Sequence, residues 1–374
     1  MKVLIAGDFA PRANLAKQIK EKRFSEVFPE NIRKTIKSAD FSFVNFESPI
    51  VEDGYKPIPK CGPNLRCTPE AAEAIRFAGF TGVTMANNHI LDYGVEGLRK
   101  SVACCKKEGL YIVGVGENIE EAGKPLYLEK AGKTLAIINC CEHEYSIATH
   151  SEPGANPINP ICQYYAIQEA KMKSDYVLVI VHGGHEMFQL PSPRMVESYR
   201  FFIDAGADAV VNHHQHCYSG YELYKGKPIV YGLGNFCFDY PNRREDIWYE
   251  GYMAQLELTE NVNISIIPYK QYFDIEGIRL LTTYELNIFE NRLSEINDII
   301  SDDNKLLKQI ESYYNSCSQS ERTIFEPYSG RLFYKLFKMG ILPRVFKGIK
   351  LYKGLNHIEC ESHRDKLIFA LHNV

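Results

Sequence analysis

Ala209-Val-Val-Asn-His-His-Gln-His216 is the stretch whose reading decides the fold. Its first three residues form an apolar run of strand type, and the run ends directly in an asparagine and a cluster of imidazoles. His214 and His216 lie two apart. In an extended chain both rings point to one side, within reach of one or two metal ions. The same order recurs elsewhere. Val3–Ala6 ends in Gly7-Asp8, Phe41–Phe46 ends in Glu47, Thr81–Met85 runs into Asn88-His89, and Val177–Val181 runs into His182.

Helical stretches separate these runs. Residues 13–38 read as helix in two pieces broken near Pro29. A second helix takes Thr68 as N-cap and Pro69 in its first turn, and ends at Gly79. Further helices are expected at 95–107, at 162–172, and from Ser192-Pro193 to about Asp204. Residues 125–130 and 133–139 form a hairpin about Gly132, and 219–224 and 227–231 form another across Lys225-Gly226. Strands follow at 252–258 and 263–269. Strands alternating with helices give an α/β class, and the hairpins add antiparallel strands, so a mixed or two-sheet core is expected. The strand signal stops after about residue 275, and 283–374 read as mostly helical. The chain thus divides into a domain over 1–272 and a helical accessory region over 273–374.

A chain of 374 residues can bury a substantial core without staples. Its net charge of -4 argues against nucleic acid as a partner, which would call for a basic excess. The 11 cysteines include the adjacent pairs Cys104-Cys105 and Cys140-Cys141 but no CxxC, which points to reduced, buried thiols in a reducing cytoplasm. The apolar run before Gly7 is too short for a signal peptide, and no later run is long enough to span a bilayer. A soluble, cytoplasmic chain is the expectation.

In open α/β sheets, ligand sites gather beyond the carboxyl ends of strands. Asp8, Glu47, Asn88, His182, His214 and His216 would then converge on one cleft. Two carboxylates, an amide oxygen and several imidazoles suit one or two ions of Mn, Fe or Zn; Ca and Mg prefer oxygen-only shells. Glu47 is the candidate to bridge two cations about 3.5–4 Å apart. His185 and His213 are weaker members of the set. Lys60 and Arg66 sit in a loop rich in Pro, Gly and Lys and can meet a substrate anion, with solvated charge as the plainer reading. Gly114-Val115-Gly116 lacks the third glycine of a dinucleotide loop. Cys140-Cys141-Glu142-His143-Glu144 reads as a strand edge, structural or supporting the ligands.

The segments GDFAP (7–11), NFESPI (45–50), ANNHILDYG (86–94), HGGHE (182–186), NHHQH (212–216) and ELYKGKPIVYGLGNF (222–236) resemble, in order, those of the bacterial capsule-synthesis family typified by CapA and PgsA. That family is similar to the calcineurin-like metallophosphoesterases. The resemblance implies a four-layer α/β/β/α sandwich, with Asp8 and His216 on a first metal, Asn88, His182 and His214 on a second, and Glu47 between them. It implies that His89 assists the leaving group, with Asp92 orienting it. Asn45, His185, Glu186 and Asn235 lie within these motifs, and Lys60 and Arg66 in the loop between two of them; these six are expected to touch substrate or support the ligands. The function implied is metal-dependent, phosphoesterase-like hydrolysis of a small-molecule or polymer-precursor substrate in capsule or poly-γ-glutamate synthesis.

Three positions depart from the pattern. Ala10 stands where the superfamily has a histidine, Glu47 replaces an aspartate, and Gly183 stands where the family commonly has tryptophan, which implies a missing aromatic wall. These motivate an alternative, a non-catalytic scaffold or regulatory component of a capsule-synthesis complex. Finally, 328–354 is basic and amphipathic, divided by Pro343 into two short helices. It reads first as a helical cap docked on the core with its lysines in water. The second reading is weak peripheral contact with the inner face of the membrane.

Overall fold

The strand Lys2–Phe9 is buried from Val3 onward. It lies between a parallel neighbour, Phe41–Phe46, and an antiparallel one, Glu250–Leu258. An apolar run buried on both faces requires a sheet covered on both sides. A computed structural model describes residues 1–240, 246–271, 277–328 and 330–372. Among them the larger sheet is ordered Ile278–Leu280, Val262–Gln271, Glu250–Leu258, Lys2–Phe9, Phe41–Phe46, Gly82–Thr84, Tyr111–Val113, with Asn235–Cys237 also pairing with Lys2–Phe9. The smaller sheet is ordered Tyr221–Tyr224, Lys227–Val230, Ala209–His213, Tyr176–His182, Lys133–Cys141, Leu126–Lys130. Both sheets are mixed: the smaller has a parallel centre and antiparallel edges, and the larger is parallel from Lys2–Phe9 to Tyr111–Val113 and antiparallel from Lys2–Phe9 through Glu250–Leu258 to Ile278–Leu280.

The two sheets face each other. The ring of His213, at the end of a smaller-sheet strand, reaches the carbonyl of Ala6 in the larger sheet at 2.9 Å. Helices Ala13–Lys20, Glu30–Lys37, Glu70–Ala78 and Gly94–Lys107 cover the larger sheet through Leu15, Ile32, Ile75 and Leu98. Pro160–Lys173 and Pro193–Asp204 cover the smaller sheet, burying Ile167 and Phe202. The result is the four-layer α/β/β/α order that the resemblance implied.

The chain separates into two compact units, Met1–Leu306 and Leu307–Val374, so the division falls later than the expected 272/273. The reason is the helix Thr283–Ile300, which buries Phe289, Leu293, Ile296 and Ile300. Phe289 lies 4.5 Å from the ring of Tyr218 and 6.1 Å from that of Tyr252, and Asn297 Oδ1 accepts from the Tyr221 amide at 2.8 Å. The strand signal also fails to stop at 275, because Ile278–Leu280 adds an edge to the larger sheet. Thr68 does not cap the following helix through its side chain; Pro69 holds the N-cap position. Ser192 and Thr282 do cap theirs. No disulfide forms among the described residues, but Cys61 and Cys162 are exposed rather than buried. The second unit contains the helices Arg331–Lys338, Ile349–Glu359 and Glu361–His372. No described helix is long and apolar enough to cross a membrane.

Phe289→Ala should therefore destabilise the first unit by about 3–5 kcal/mol, the range for truncating a buried aromatic. Leu332→Ser, at an exposed position, should stay within about 0.5 kcal/mol of the parent. Urea unfolding followed by circular dichroism measures both. A small effect of Phe289→Ala would remove Thr283–Ile300 from the first unit's core.

Candidate metal centre

Asp8 sits where strand Lys2–Phe9 slips register against Phe41–Phe46, between Ala6 and Asp8. Such an irregularity re-aims a side chain out of the pleat. It is possible only because Gly7 has no Cβ: one built there would lie 1.8 Å from the Gly234 carbonyl oxygen, which accepts from the Asp8 amide at 3.1 Å. Glu47 follows the next strand, and its amide donates to the Phe9 carbonyl at 3.1 Å. Its side chain is fully buried, yet neither carboxylate oxygen has a hydrogen-bond partner. Around Glu47 Oε1 stand His216 Nε2 at 3.6 Å, His182 Nε2 at 3.9 Å and His89 Nε2 at 4.0 Å. One ligand atom each from Asp8, Glu47 and His182 lies within 4.8 Å of the others.

The strand carrying the opening motif ends at His213, so His214 and His216 are not extended. They have φ of 88° and 56°, in the left-handed region that non-glycine residues seldom adopt. Strain of this kind persists only where the surroundings over-determine it, and it clusters at functional sites. Here it still sets the two rings 6.1 Å apart. His214 Nδ1 lies 3.1 Å from His182 Nε2, which also lies 3.1 Å from Asn88 Oδ1. Asn45 Nδ2 donates to Asp8 Oδ1 at 2.8 Å and stands 3.1 Å from His182 Nδ1. Asn235 Oδ1 lies 2.9 Å from His216 Nδ1. Asn45 and Asn235 thus orient ligand-type side chains.

Burial pushes the Glu47 carboxyl well above the usual carboxylate range, and the Asp8 charge adds to it. Burial would raise Asp8 too, but the hydrogen bond with His216 and the nearby imidazoles outweigh it and hold Asp8 below its ordinary value. Burial works against charge on His216 as well. Glu47 and Asp8 beside it prevail and raise it to about 10. Burial, with His214 alongside, drives His182 well below its ordinary value, which leaves the neutral form that binds metals.

His89 belongs to a second arrangement at the same edge. Its Nδ1 lies 2.6 Å from Asp92 Oδ2 and 3.1 Å from Lys60 Nζ. An ionised carboxylate only accepts, so His89 Nδ1–H donates to Asp92, Lys60 stands by, and Nε2 faces Glu47. Burial lowers His89 against the pull of Asp92, and Lys60 adds to the lowering. Lys60 is buried and also binds Asp92 Oδ1. The Asp92 carboxylate accepts from the Leu65 amide at 2.5 Å, and its carbonyl accepts from the Ile58 amide at 2.9 Å and from Asn64 Nδ2 at 3.0 Å. Residues 58–65 thus fold around one aspartate.

Other expected residues lie further out. His185 is half-buried beside Phe188. Glu186 is exposed, although its charge acts on both Glu47 and His216. Arg66 is not brought to the cluster; it is exposed and lines a separate cleft with Glu52 and Asp53. His213 is buried and spent on the Ala6 carbonyl. Cys140-Cys141 ends a central strand, not a sheet edge. Glu144 beyond it accepts from Asn88 Nδ2 at 2.9 Å, turning the amide oxygen toward His182.

The departures also have physical accounts. Ala10 is buried with Leu65, Phe238, Trp248 and Tyr249, so no donor occupies that position. A Cβ on Gly183 would lie 2.6 Å from Glu142 Cγ; the glycine makes room for that side chain. An aromatic wall exists nonetheless. Phe238 and Trp248 pack on the His216 ring, with centroids at 5.2 and 5.0 Å. Sequence reasoning missed both. The one signal available was that Trp248 is the chain's single tryptophan.

The strand ends of the two sheets bring together buried carboxylates and imidazoles, and Asp8, Glu47 and His182 among them form a group that could hold a metal ion. Residues 2–240 match the family described as "Bacterial capsule synthesis protein PGA_cap", and the chain belongs to that family. It is 30% identical over 283 residues to the capsule biosynthesis protein CapA of Bacillus anthracis, covering 74% of this chain and 64% of that one. It is 32% identical over 237 residues to the PGA biosynthesis protein CapA of Bacillus subtilis (strain 168), covering 62% of each. The chain thus spans less than two thirds of either relative's length. Among solved structures, a novel phosphatase from Mycoplasma pneumoniae superposes with a TM-score of 0.43 at 17% identity, covering 72% of this chain and 92% of that one.

The raised His216 value fixes a sign. Its contribution to stability is present in full below about 6.5 and is lost as pH rises through about 10. The thermal midpoint of chelator-treated protein should therefore fall more steeply across that window than the midpoint of His216→Asn. Parallel profiles would show that the imidazolium is not stabilised by Glu47 and Asp8.

Proposed function

We propose that the chain is a divalent-metal-dependent hydrolase of a phosphoester, or of a related ester or amide bond, in the synthesis of a bacterial surface polymer such as poly-γ-glutamate. The observation that carries this reading is Glu47. A carboxylate buried without a single donor is costly, unless a cation completes it. Asp8, Glu47, Asn88, His182, His214 and His216 would hold the ion or ions, and their mixed oxygen and nitrogen donors suit Mn, Fe or Zn. When bound, such an ion supplies Lewis-acid stabilisation of the negative charge that builds during attack.

The chain's own residues do the rest. Asp92 fixes the His89 tautomer, and Lys60 neutralises Asp92 at its other oxygen. His89 Nε2 is thereby turned inward; in the doubly protonated ring, with Nδ1–H held by Asp92, Nε2–H would pass its proton to the leaving group and the ring would return to its neutral Nδ1–H form. Asn45, Asn235 and Glu144 keep the ligand side chains in their rotamers. Association with a capsule-synthesis complex at the cytoplasmic face of the membrane belongs to the same proposal. The second reading, a non-catalytic scaffold in such a complex, is favoured by Ala10, which leaves an apolar surface where a ligand is expected.

Metal analysis of protein purified without chelator is the first test, followed by turnover on a panel of phosphomonoesters and phosphodiesters. His214→Ala should lower metal affinity by at least roughly 10–100-fold and remove activity, while His185→Ala keeps most of both. Protein that arrives without metal and refuses added Mn would overturn the hydrolase reading. Protein that binds metal but turns over nothing in the panel would favour the scaffold.

A further inference from the structure

The segment 328–354 carries Arg331, Lys335, Lys338, Arg344, Lys347, Lys350 and Lys353, and no acidic residue, in a chain whose net charge is -4. All seven basic side chains are exposed. The apolar stripe beside them is largely exposed. Leu332 is 65% exposed, Phe333 53%, Ile341 60% and Ile349 69%, and within Arg331–Lys338 only Phe337 is buried. The second unit does have an interior. Phe325 stacks on Phe346 at 4.9 Å, Tyr328 packs on Phe337 at 5.4 Å, and the Glu326 carboxylate accepts from the Val345 and Phe346 amides. The nearest acidic side chain is thus spent on backbone. Phe325, Phe337, Phe346, Leu355 and Ile358 line an apolar cavity of about 410 Å³, with Arg344 and Lys347 also on its wall.

We propose that this segment is a docking surface for an anionic lipid bilayer, independently of what the metal centre does. The helix Arg331–Lys338 is short, amphipathic and carries only basic charges, and the start of Ile349–Glu359 adds Lys350 and Lys353 before its one acidic residue at the far end, a combination that lies in the plane of a headgroup region with its apolar side chains sunk between lipids. Basic side chains are drawn to anionic headgroups additively, without a fixed geometry of partners. A second copy of the chain is a poor occupant, because a two-fold contact would set this all-basic patch against itself. Nucleic acid would meet the charges but would leave Leu332, Ile341 and Ile349 in water.

The test is co-sedimentation of the full chain with vesicles of phosphatidylcholine, with and without phosphatidylglycerol. At low salt, binding should be at least about tenfold tighter to the anionic vesicles and should weaken as salt is added. Lys335→Glu, Lys338→Glu and Lys347→Glu together should cost at least about tenfold. Leu332→Ser with Phe333→Ser should lower what binding persists at high salt. Thermal melts check the fold of each variant. If the charge variant does not fold, the comparison of the two vesicle types across salt decides alone. Equal binding to both vesicle types, or none to either, overturns the proposal. So does a folded charge variant that binds like the parent. Self-association or nucleic-acid binding without vesicle binding would assign the patch to that occupant instead.

Discussion

Glu47 is the constraint on which the rest of the site depends. Its carboxyl group is sealed from water and given no donor, while three imidazole nitrogens stand within 4.0 Å of Oε1. Left to itself this is among the less favourable arrangements a folded chain can hold, and burial answers by raising the carboxyl pKa. The neighbours show the same tension. His216 is held charged by Glu47 and Asp8, while His182 is held neutral by its lack of solvent.

The backbone accepts further costs to keep this geometry. Gly7 lets the Lys2–Phe9 strand pass against Gly234, and the resulting slip aims Asp8 inward. His214 and His216 hold left-handed dihedrals that a β-branched or bulky apolar side chain would avoid. Asn45 and Asn235 each spend an amide on orienting a neighbour. Stability is therefore distributed unevenly. The sheets and their helical covers are well packed, and the convergence point is where the packing rules are broken.

Much of this was legible in the amino-acid sequence, for one reason. Asp8, Glu47, Asn88, His182, His214 and His216 each follow an apolar run of strand length, and strands of one crossover hand must bring such ends together. What could not be read depended on long-range packing. Trp248 and Phe238 reach His216 from a part of the chain with no periodic signal. The left-handed turn at 214–216 lacks the glycine or asparagine that usually marks one. The helix Thr283–Ile300 announces an apolar face but not what it covers, so the division between units came out too early. The stripe in 328–354 announces an apolar face too, and several of its side chains are exposed.

Asp92 deserves its place beside Glu47 because so much of one wall hangs on it. Residues 58–65 are fastened to it through Lys60, Leu65, Asn64 and Ile58, while the same carboxylate holds His89. Lifting that wall would bare a buried ammonium and a buried carboxylate at once, a cost that an ordinary surface loop does not carry. The same contacts that fasten residues 58–65 therefore also hold the His89 ring.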